Sequence, residues 1–398
     1  MTLRDIPKMR FTFWKAVFLV IMAAGIYCTY LRFFHGLGAS TNLSDQFPWG
    51  LWIGFDVMCG VMLAAGGFTL TAAVEIFNIK RWHSIMRPTV LTAFMGYLLV
   101  CAALMYDLGL PWNIWHPLIM RNPHSVMFEV AYCVMLYTTV LALEFSPIVF
   151  ERLGWKKALS VVRSLMLVFV ILGVILSTLH QSSLGTLYLI MPNKLHPFWY
   201  SPLLPVFFYI SAIAVGLGMM IFESSMSSKY FGRQLELHIL KDMGRVLVVV
   251  LAIYGILRFE DLLARGVLHL VFVPGYEQGL FLLEIALSVI IPLTLLLIPK
   301  VRNSAQGLYL AAVVMLLGFV TNRLNIAITG VENAVGGRYT PKWTEVVITA
   351  MFVAMGFAIF GLAARYLPIF PEEEAHAPAD RLPESVSVEL AEPVHAGD

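Results

Sequence analysis

Ten long apolar stretches run along the chain, near residues 14–33, 49–77, 88–108, 124–146, 159–180, 202–222, 244–263, 279–298, 307–328 and 345–367. Each is about 20 residues or longer, enough to cross the roughly 30 Å hydrocarbon core of a bilayer as a helix. None alternates apolar and polar positions as a half-buried strand would. The pattern predicts an all-α, polytopic integral membrane protein with about ten transmembrane helices. Turn chemistry separates the stretches, at Phe47-Pro48, Arg87-Pro88, Pro111, Asn122-Pro123, Pro192, Pro197, Pro274-Gly275 and Gly336-Gly337. The first stretch follows a short basic leader (Arg4, Lys8, Arg10, Lys15) but no small-x-small cleavage site comes after Tyr27-Cys28-Thr29-Tyr30. It reads as a retained first helix.

Composition sharpens this picture. Of 398 residues 59% are hydrophobic and 13% charged, with a mean hydropathy of +0.79. A soluble domain carries about 25% charged residues. So little charge cannot cover a water-exposed surface, which excludes a soluble enzyme. The net charge of +2 resides in short loops and points to no nucleic-acid partner. Cys28, Cys59, Cys101 and Cys133 lie within apolar stretches, without the CxxC or CxxCH spacing of a cluster or covalent haem site.

Positive charge sets the expected orientation. The N-terminal segment and the even loops hold 14 Lys and Arg (among them Arg4, Lys80, Arg87, Arg152, Lys156, Lys157, Lys229, Arg233 and Lys300), against 6 in the odd loops (Arg32, Arg121, Lys194, Arg265, Arg338 and Lys342). Both termini are therefore expected in the cytoplasm: residues 1–13 as an N-terminal segment, 14–367 as the membrane domain, and 368–398 as an acidic, Pro- and Ala-rich disordered tail. The outward loops are aromatic and rigid: DQFPWG at 45–50, GLPWNIWHP at 109–117, NKLHPFWY at 193–200 and RYTPKW at 338–343. Any single Trp or Tyr there can be an ordinary membrane-belt residue. Together they also suit the docking of another protein.

Charges within spans cost about 2.5–3.5 kcal/mol each on insertion scales, so each needs a reason. Asp56, Asp107, Glu129, Arg258, Glu260, Glu284, Arg323 and Glu345 all fall toward outer ends, and His180 is expected to close the outer end of the fifth helix. Asp56 and Glu129 are expected on the order of 8–10 Å deep, from about 1.5 Å per residue. Glu75, Glu144 and Glu223 are expected at inner ends, where interfacial water solvates them. The outer charges can simply neutralise one another and hold helices together. A shared polar pocket on the outer side accounts for them equally well.

The HQSSLGTLYL stretch at 180–189 supplies an imidazole, an amide and two hydroxyls, able to hydrogen-bond a carbonyl or hydroxyl of an amphiphile. It lacks metal-ligand spacing. A b-type haem needs facing histidines deep in helices. Only His180, and His124 at the mouth of the fourth helix, lie near a span, so haem is not expected. Two classes stay open: a transporter, which calls for broken helices near the midplane, and a quinone-handling respiratory subunit.

Several motifs occur in one order: FPWGLWIGFD (47–56), Gly66-Gly67, Arg87-Pro88, SVMFE (125–129), LALEFSPIVFERLGW (141–155), LHQSSLGTLYL (179–189), HPFW (196–199), LRFED (257–261), LLE (282–284), NRL (322–324) and PKWTE (341–345). This series resembles the membrane subunit of hydrogenase-2-type uptake [NiFe] hydrogenases, within the NrfD/polysulfide-reductase family of membrane anchors. The resemblance covers nearly the whole chain. It implies two four-helix bundles, 49–180 and 202–328, flanked by the first and last helices, in a bacterial inner membrane. It implies a periplasmic iron–sulfur electron-transfer subunit and [NiFe] large and small subunits as partners. No bound cofactor is implied; menaquinone or ubiquinone is the substrate, alongside membrane lipid. On this chain it points to His180, Gln181, Ser182, Ser183, Asp56, Glu129 and His124 for the quinone headgroup. Asp56, Glu129, Glu284, Arg323, Glu345, Glu75 and Glu144 are the proton-relay candidates. An anchor for a polysulfide, nitrite or tetrathionate reductase is the related alternative. Alkaline-phosphatase fusions after Arg121 or Lys194 are expected to be active; inactive fusions overturn the orientation.

Overall fold

The computed structural model describes residues 13–370; most of the expected N-terminal segment and the tail from Pro371 onward lie outside the described residues. Every regular element among the described residues is helical. Ten long helices follow one another. They are α1 (Phe13–His35), α2 (Trp52–Ile76), α3 (Met86–Asp107), α4 (Val126–Leu153), α5 (Lys156–Leu189), α6 (Leu204–Phe231), α7 (Leu237–Ala264), α8 (Tyr276–Leu297), α9 (Ala305–Val335) and α10 (Trp343–Tyr366). Nine contain a stretch long and apolar enough to span. The exception is α7, as long as its neighbours but carrying Asp242, Arg245, Arg258, Glu260 and Asp261.

Burial ranks the helices. In α2 78% of the apolar window is buried, against 17% in α1 and α10, which puts α2 at the centre and α1 and α10 at the periphery. The outer pair pack on each other, Gly25 against Met351 and Tyr27 stacked on Trp343. Arg32, expected in a loop, is buried at the end of α1. It donates to the carbonyls of Tyr106 (2.5 Å) and Leu108 (2.5 Å), satisfying acceptors that the end of α3 leaves open.

Three spans are not the continuous α-helices the hydropathy pattern suggests. α2 starts as a π-helix (Trp52–Cys59), turns at Ala64-Ala65 and ends in a second π segment (Ala72–Ile76). α8 and α9 contain π segments at Ala286–Ile290 and Asn325–Thr329. Small residues accompany the irregularities: a Cβ on Gly216 of α6 would lie 3.0 Å from the Ala65 carbonyl and the Gly66 nitrogen at the turn of α2. Gly318 of α9 sits directly against the Ser288 backbone in the π turn of α8. Such close approach replaces the missing hydrophobic drive between helices in lipid.

Helix lengths also correct the expected edges. α5 runs on to Leu189, so residues 180–183 lie in its body instead of at its mouth. α4 starts at Val126 and ends at Leu153, so Glu129 is near its beginning and exposed, while Glu144 is buried nine residues before its end. Glu223 likewise precedes the end of α6 by eight residues. The tail does not begin at residue 368: Ile369 is buried against Val90, Met95, Phe145 and Ile148. Gly185 of α5 faces the backbone of Pro205, which a Cβ would approach to 2.7 Å. Gly185→Ala is expected to cost about 1–3 kcal/mol by overpacking. Its thermal midpoint in detergent should fall, whereas Gly361→Ala, with nothing within 4 Å, should not lower it.

Candidate functional site

The polar side chains gather in two interior networks, both toward the end of the molecule that carries the aromatic loops. In the first, His180 of α5 is fully buried and its Nδ1 lies 3.0 Å from the Tyr97 hydroxyl of α3. Tyr97 packs edge-on to Tyr137 of α4, their ring centroids 4.6 Å apart. His180 Nε2 has no hydrogen-bond partner although buried, and the buried Tyr137 and Ser177 hydroxyls, the latter one turn before His180, have only each other and Tyr97 within reach. Buried polar atoms are normally paired, so an open imidazole nitrogen there marks a place for water or a ligand.

The neighbours of His180 play different parts. Gln181 donates to the Val61 carbonyl (3.2 Å), just before the turn of α2. Ser183 donates to Glu129 (2.6 Å), joining α5 to the start of α4. Ser182 only returns its hydroxyl to Thr178 and Leu179 of its own helix. Asp56 is buried in the π turn of α2 and accepts from Thr349 of α10 (2.7 Å). His124 is exposed in the loop before α4, its backbone N–H on Asn122, and does not join this group.

The second network centres on Glu284 of α8. Its carboxylate accepts from Trp199 Nε1 (2.8 Å), Asn322 Nδ2 (2.7 Å) and Asn325 Nδ2 (2.8 Å). Asn322 in turn accepts from Arg323 Nη1 (2.8 Å), whose other nitrogen reaches Ser211 (2.7 Å). The guanidinium also lies 3.6 Å from the centroid of Phe208. An amide thus mediates between a buried anion and a buried cation. Arg258 reaches the Phe198 carbonyl (2.6 Å) and lies 3.8 Å from Asp261, whereas Glu260 is exposed. Glu345 caps α10, accepting from the backbone of Asn42 (2.9 Å) and Lys342 (3.1 Å) and from the Tyr339 hydroxyl. Burial and that carboxylate push the Tyr339 phenol above its usual range.

At the opposite end, Glu75 and Glu144 line one cavity of about 320 Å³ with His83, Arg87, Glu151 and Arg163. A second, of about 430 Å³, holds Glu223, Arg233, Glu236 and several serines. Sequence reasoning missed Tyr97, Tyr137, Thr349, Trp199, Asn322 and Asn325. Aromatic and amide residues in apolar runs look like packing until their partners are known. The Asn322/Asn325 pair, three residues apart beside Arg323, was the one signal that could have pointed there.

A family model described as "Polysulphide reductase, NrfD" matches residues 39–335. The chain belongs to the NrfD family. It is 36% identical over 345 residues to the "Probable Ni/Fe-hydrogenase 2 b-type cytochrome subunit" of Escherichia coli K12, covering 85% of this chain and 88% of that one. It is 30% identical over 391 residues to the "Menaquinone reductase, integral membrane subunit" of Nitratidesulfovibrio vulgaris, covering 92% and 93%. Similarity extends at 24% identity to a selenate reductase subunit of Mesobacillus selenatarsenatis, over 93% of this chain and 96% of that one. This NrfD chain is therefore a membrane subunit of the kind found in respiratory oxidoreductases. The described residues do not suit the haem in the Escherichia coli protein's name: His180 is the one histidine in the interior of a span, and Tyr97 and Tyr137 pack beside it with no facing imidazole.

Removing Asn322 separates the buried ions. Asn322→Leu leaves both Glu284 and Arg323 one partner short, at about 1–3 kcal/mol for each unsatisfied group. Its thermal midpoint is expected to fall clearly below that of Asn122→Leu, an exposed loop control.

Proposed function

We propose that this chain is the membrane anchor and quinone-reacting subunit of a periplasmic [NiFe] uptake hydrogenase. It passes electrons from an iron–sulfur partner subunit to menaquinone or ubiquinone. The observation that carries this reading is the buried His180, bonded to Tyr97 through Nδ1 and open at Nε2, in a chain 36% identical to a hydrogenase 2 membrane subunit. The chain sits in the bacterial inner membrane with both termini in the cytoplasm and the aromatic loops in the periplasm, against the partner. Two four-helix bundles, α2–α5 and α6–α9, form its body.

Quinone reduction takes two electrons and two protons. Electrons arriving from an external cluster require the headgroup to sit near the partner, at the end where His180, Glu129 and Asp56 lie. His180 Nε2 is the hydrogen-bonding group for a quinone oxygen, and Tyr97 holds the ring orientation. Gln181 and Ser183 fix α5 against α2 and α4. Glu129, exposed and bonded to Ser183, exchanges protons with solvent; Asp56 is the second protonatable group on that side. Glu144 and Glu75, in the cavity at the other end, continue the relay toward the cytoplasm. Glu284, Arg323 and Glu345 each hold a full set of partners, which supports a holding role for them.

The 24% identical selenate reductase subunit favours a second reading, the same quinone site serving another oxidoreductase. Purification in mild detergent decides between the two by what accompanies the chain. Hydrogen-dependent reduction of a menaquinone analogue is expected. In the same assay His180→Ala should slow turnover by about 100-fold or more, the scale of general acid–base effects, with Glu129→Gln and Asp56→Asn less affected. Unchanged turnover in His180→Ala overturns the site; co-purification of a different reductase overturns the hydrogenase.

A further inference from the structure

The turn between α4 and α5 is a basic part of the described surface, with Arg152, Lys156, Lys157 and Arg163, that the proposed function leaves unused. The apolar span of α5 starts only at Met166, ten residues after the helix itself begins at Lys156. Residues 156–165 are therefore expected in the headgroup layer, with the same helix continuing into hydrocarbon. A surface groove of about 410 Å³ opens along this part, lined by Lys156, Leu159, Ser160, Arg163 and Ser164.

Helical spacing puts four of these on one face. At 100° per residue, Lys156, Ser160, Arg163 and Ser164 fall within about 60° of Ser160, as do Leu167, Ile171 and Ile175 farther along. The last three are 53%, 42% and 50% exposed. One face thus carries two cations and two serines, the Ser164 hydroxyl donating to the Ser160 carbonyl (2.9 Å), then a bare aliphatic stripe. From Leu167 to Ile175 this stripe extends roughly 12 Å at about 1.5 Å per residue, close to the ~15 Å of one leaflet.

The charge balance of the patch is positive. Arg163 pairs with Glu151 of α4, which Arg87 also engages at 3.0 Å, so two guanidinium groups share one carboxylate. Glu75 and Glu144 face the neighbouring cavity, and Arg152 and Lys157 add exposed charge on the near side. The Lys156 ammonium has no hydrogen bond or ion pair among the described residues. Trp155 and Leu153, both exposed, complete the interfacial rim.

We infer that this groove binds an anionic phospholipid, its phosphate held by Lys156, Ser160 and Arg163 and one acyl chain lying along Leu167, Ile171 and Ile175. The chemistry selects that class. Two cations with the adjacent Ser160 hydroxyl match a phosphodiester, the net positive field favours a headgroup with uncompensated negative charge, and the stripe requires a hydrocarbon tail. Because Arg163 also lines the cavity that holds Glu144, the lipid sits beside the mouth of that cavity. The inference rests on the membrane topology and not on the quinone assignment.

The test is lipid-dependent thermal stability of the full chain, purified with its accompanying subunits and stripped of lipid in detergent. Dioleoyl phosphatidylglycerol is titrated into the micelles, with dioleoyl phosphatidylcholine and inorganic phosphate as comparisons. A saturable rise in thermal midpoint is expected with the phosphatidylglycerol alone. Lys156→Gln should raise the lipid fraction needed for half the rise about fivefold, near the ~1 kcal/mol per basic residue at an anionic surface. Lys156→Gln/Ser160→Leu should weaken it further. Both positions are exposed, so folding is preserved, and a purely structural defect would lower the midpoint without moving the lipid dependence. An equal rise with phosphatidylcholine, the same rise with inorganic phosphate, or unaltered lipid dependence in both variants overturns the proposal.

Discussion

No water is present in the hydrocarbon core to satisfy a polar group, so every buried charge must find its partners within the chain. Glu284 and Arg323, in the second half of this molecule, meet that constraint in full. Glu284 is held by an indole and two amides, and one of those amides passes the contact on to Arg323. These bonds tie α8, α9 and the loop before α6 into one unit. Burying an ion pair gains little stability in itself. What it supplies here is a geometry that leaves the two ions a single set of partners.

The first half meets the same constraint differently. Gln181, Ser183 and Asp56 each find one partner on another helix, but His180 Nε2 finds none. The contrast lies at the two centres: the Glu284 carboxylate is fully engaged, whereas the His180 imidazole keeps buried hydrogen-bonding capacity. Leftover capacity in an apolar interior is costly, and that cost is what supports the proposed ligand-facing site at His180.

Backbone irregularity serves both halves. π segments release carbonyls from regular pairing and are frequent at functional sites. Those of α2 and α9 contain or adjoin Asp56 and Asn325, and that of α8 follows Glu284. Glycines at the crossings allow the backbones to touch, as Gly216 does at the turn of α2 and Gly318 at the π turn of α8. Broken helices were the mark expected of a transporter. In this chain the irregular segments neighbour the polar networks.

Hydropathy alone was enough for the all-helical membrane architecture, because 20-residue apolar runs have one stable form in lipid. Motifs such as FPWGLWIGFD and LHQSSLG were enough for the family. The polar residues were legible as a set, since any charge in an apolar run stands out. Their depth and their company came from packing. Hydropathy shows where a helix is apolar, not where it ends: α5, Lys156–Leu189, runs past the expected stretch 159–180 at both ends, carrying His180 into the interior and Lys156 out to the surface. Glu129 moved the other way, to an exposed first turn. Tyr97 and Thr349 carry no mark in the sequence, and Trp199 and Asn322 only their place in motifs, because a hydrogen bond between helices depends on which faces meet, and only the folded arrangement of the helices fixes that.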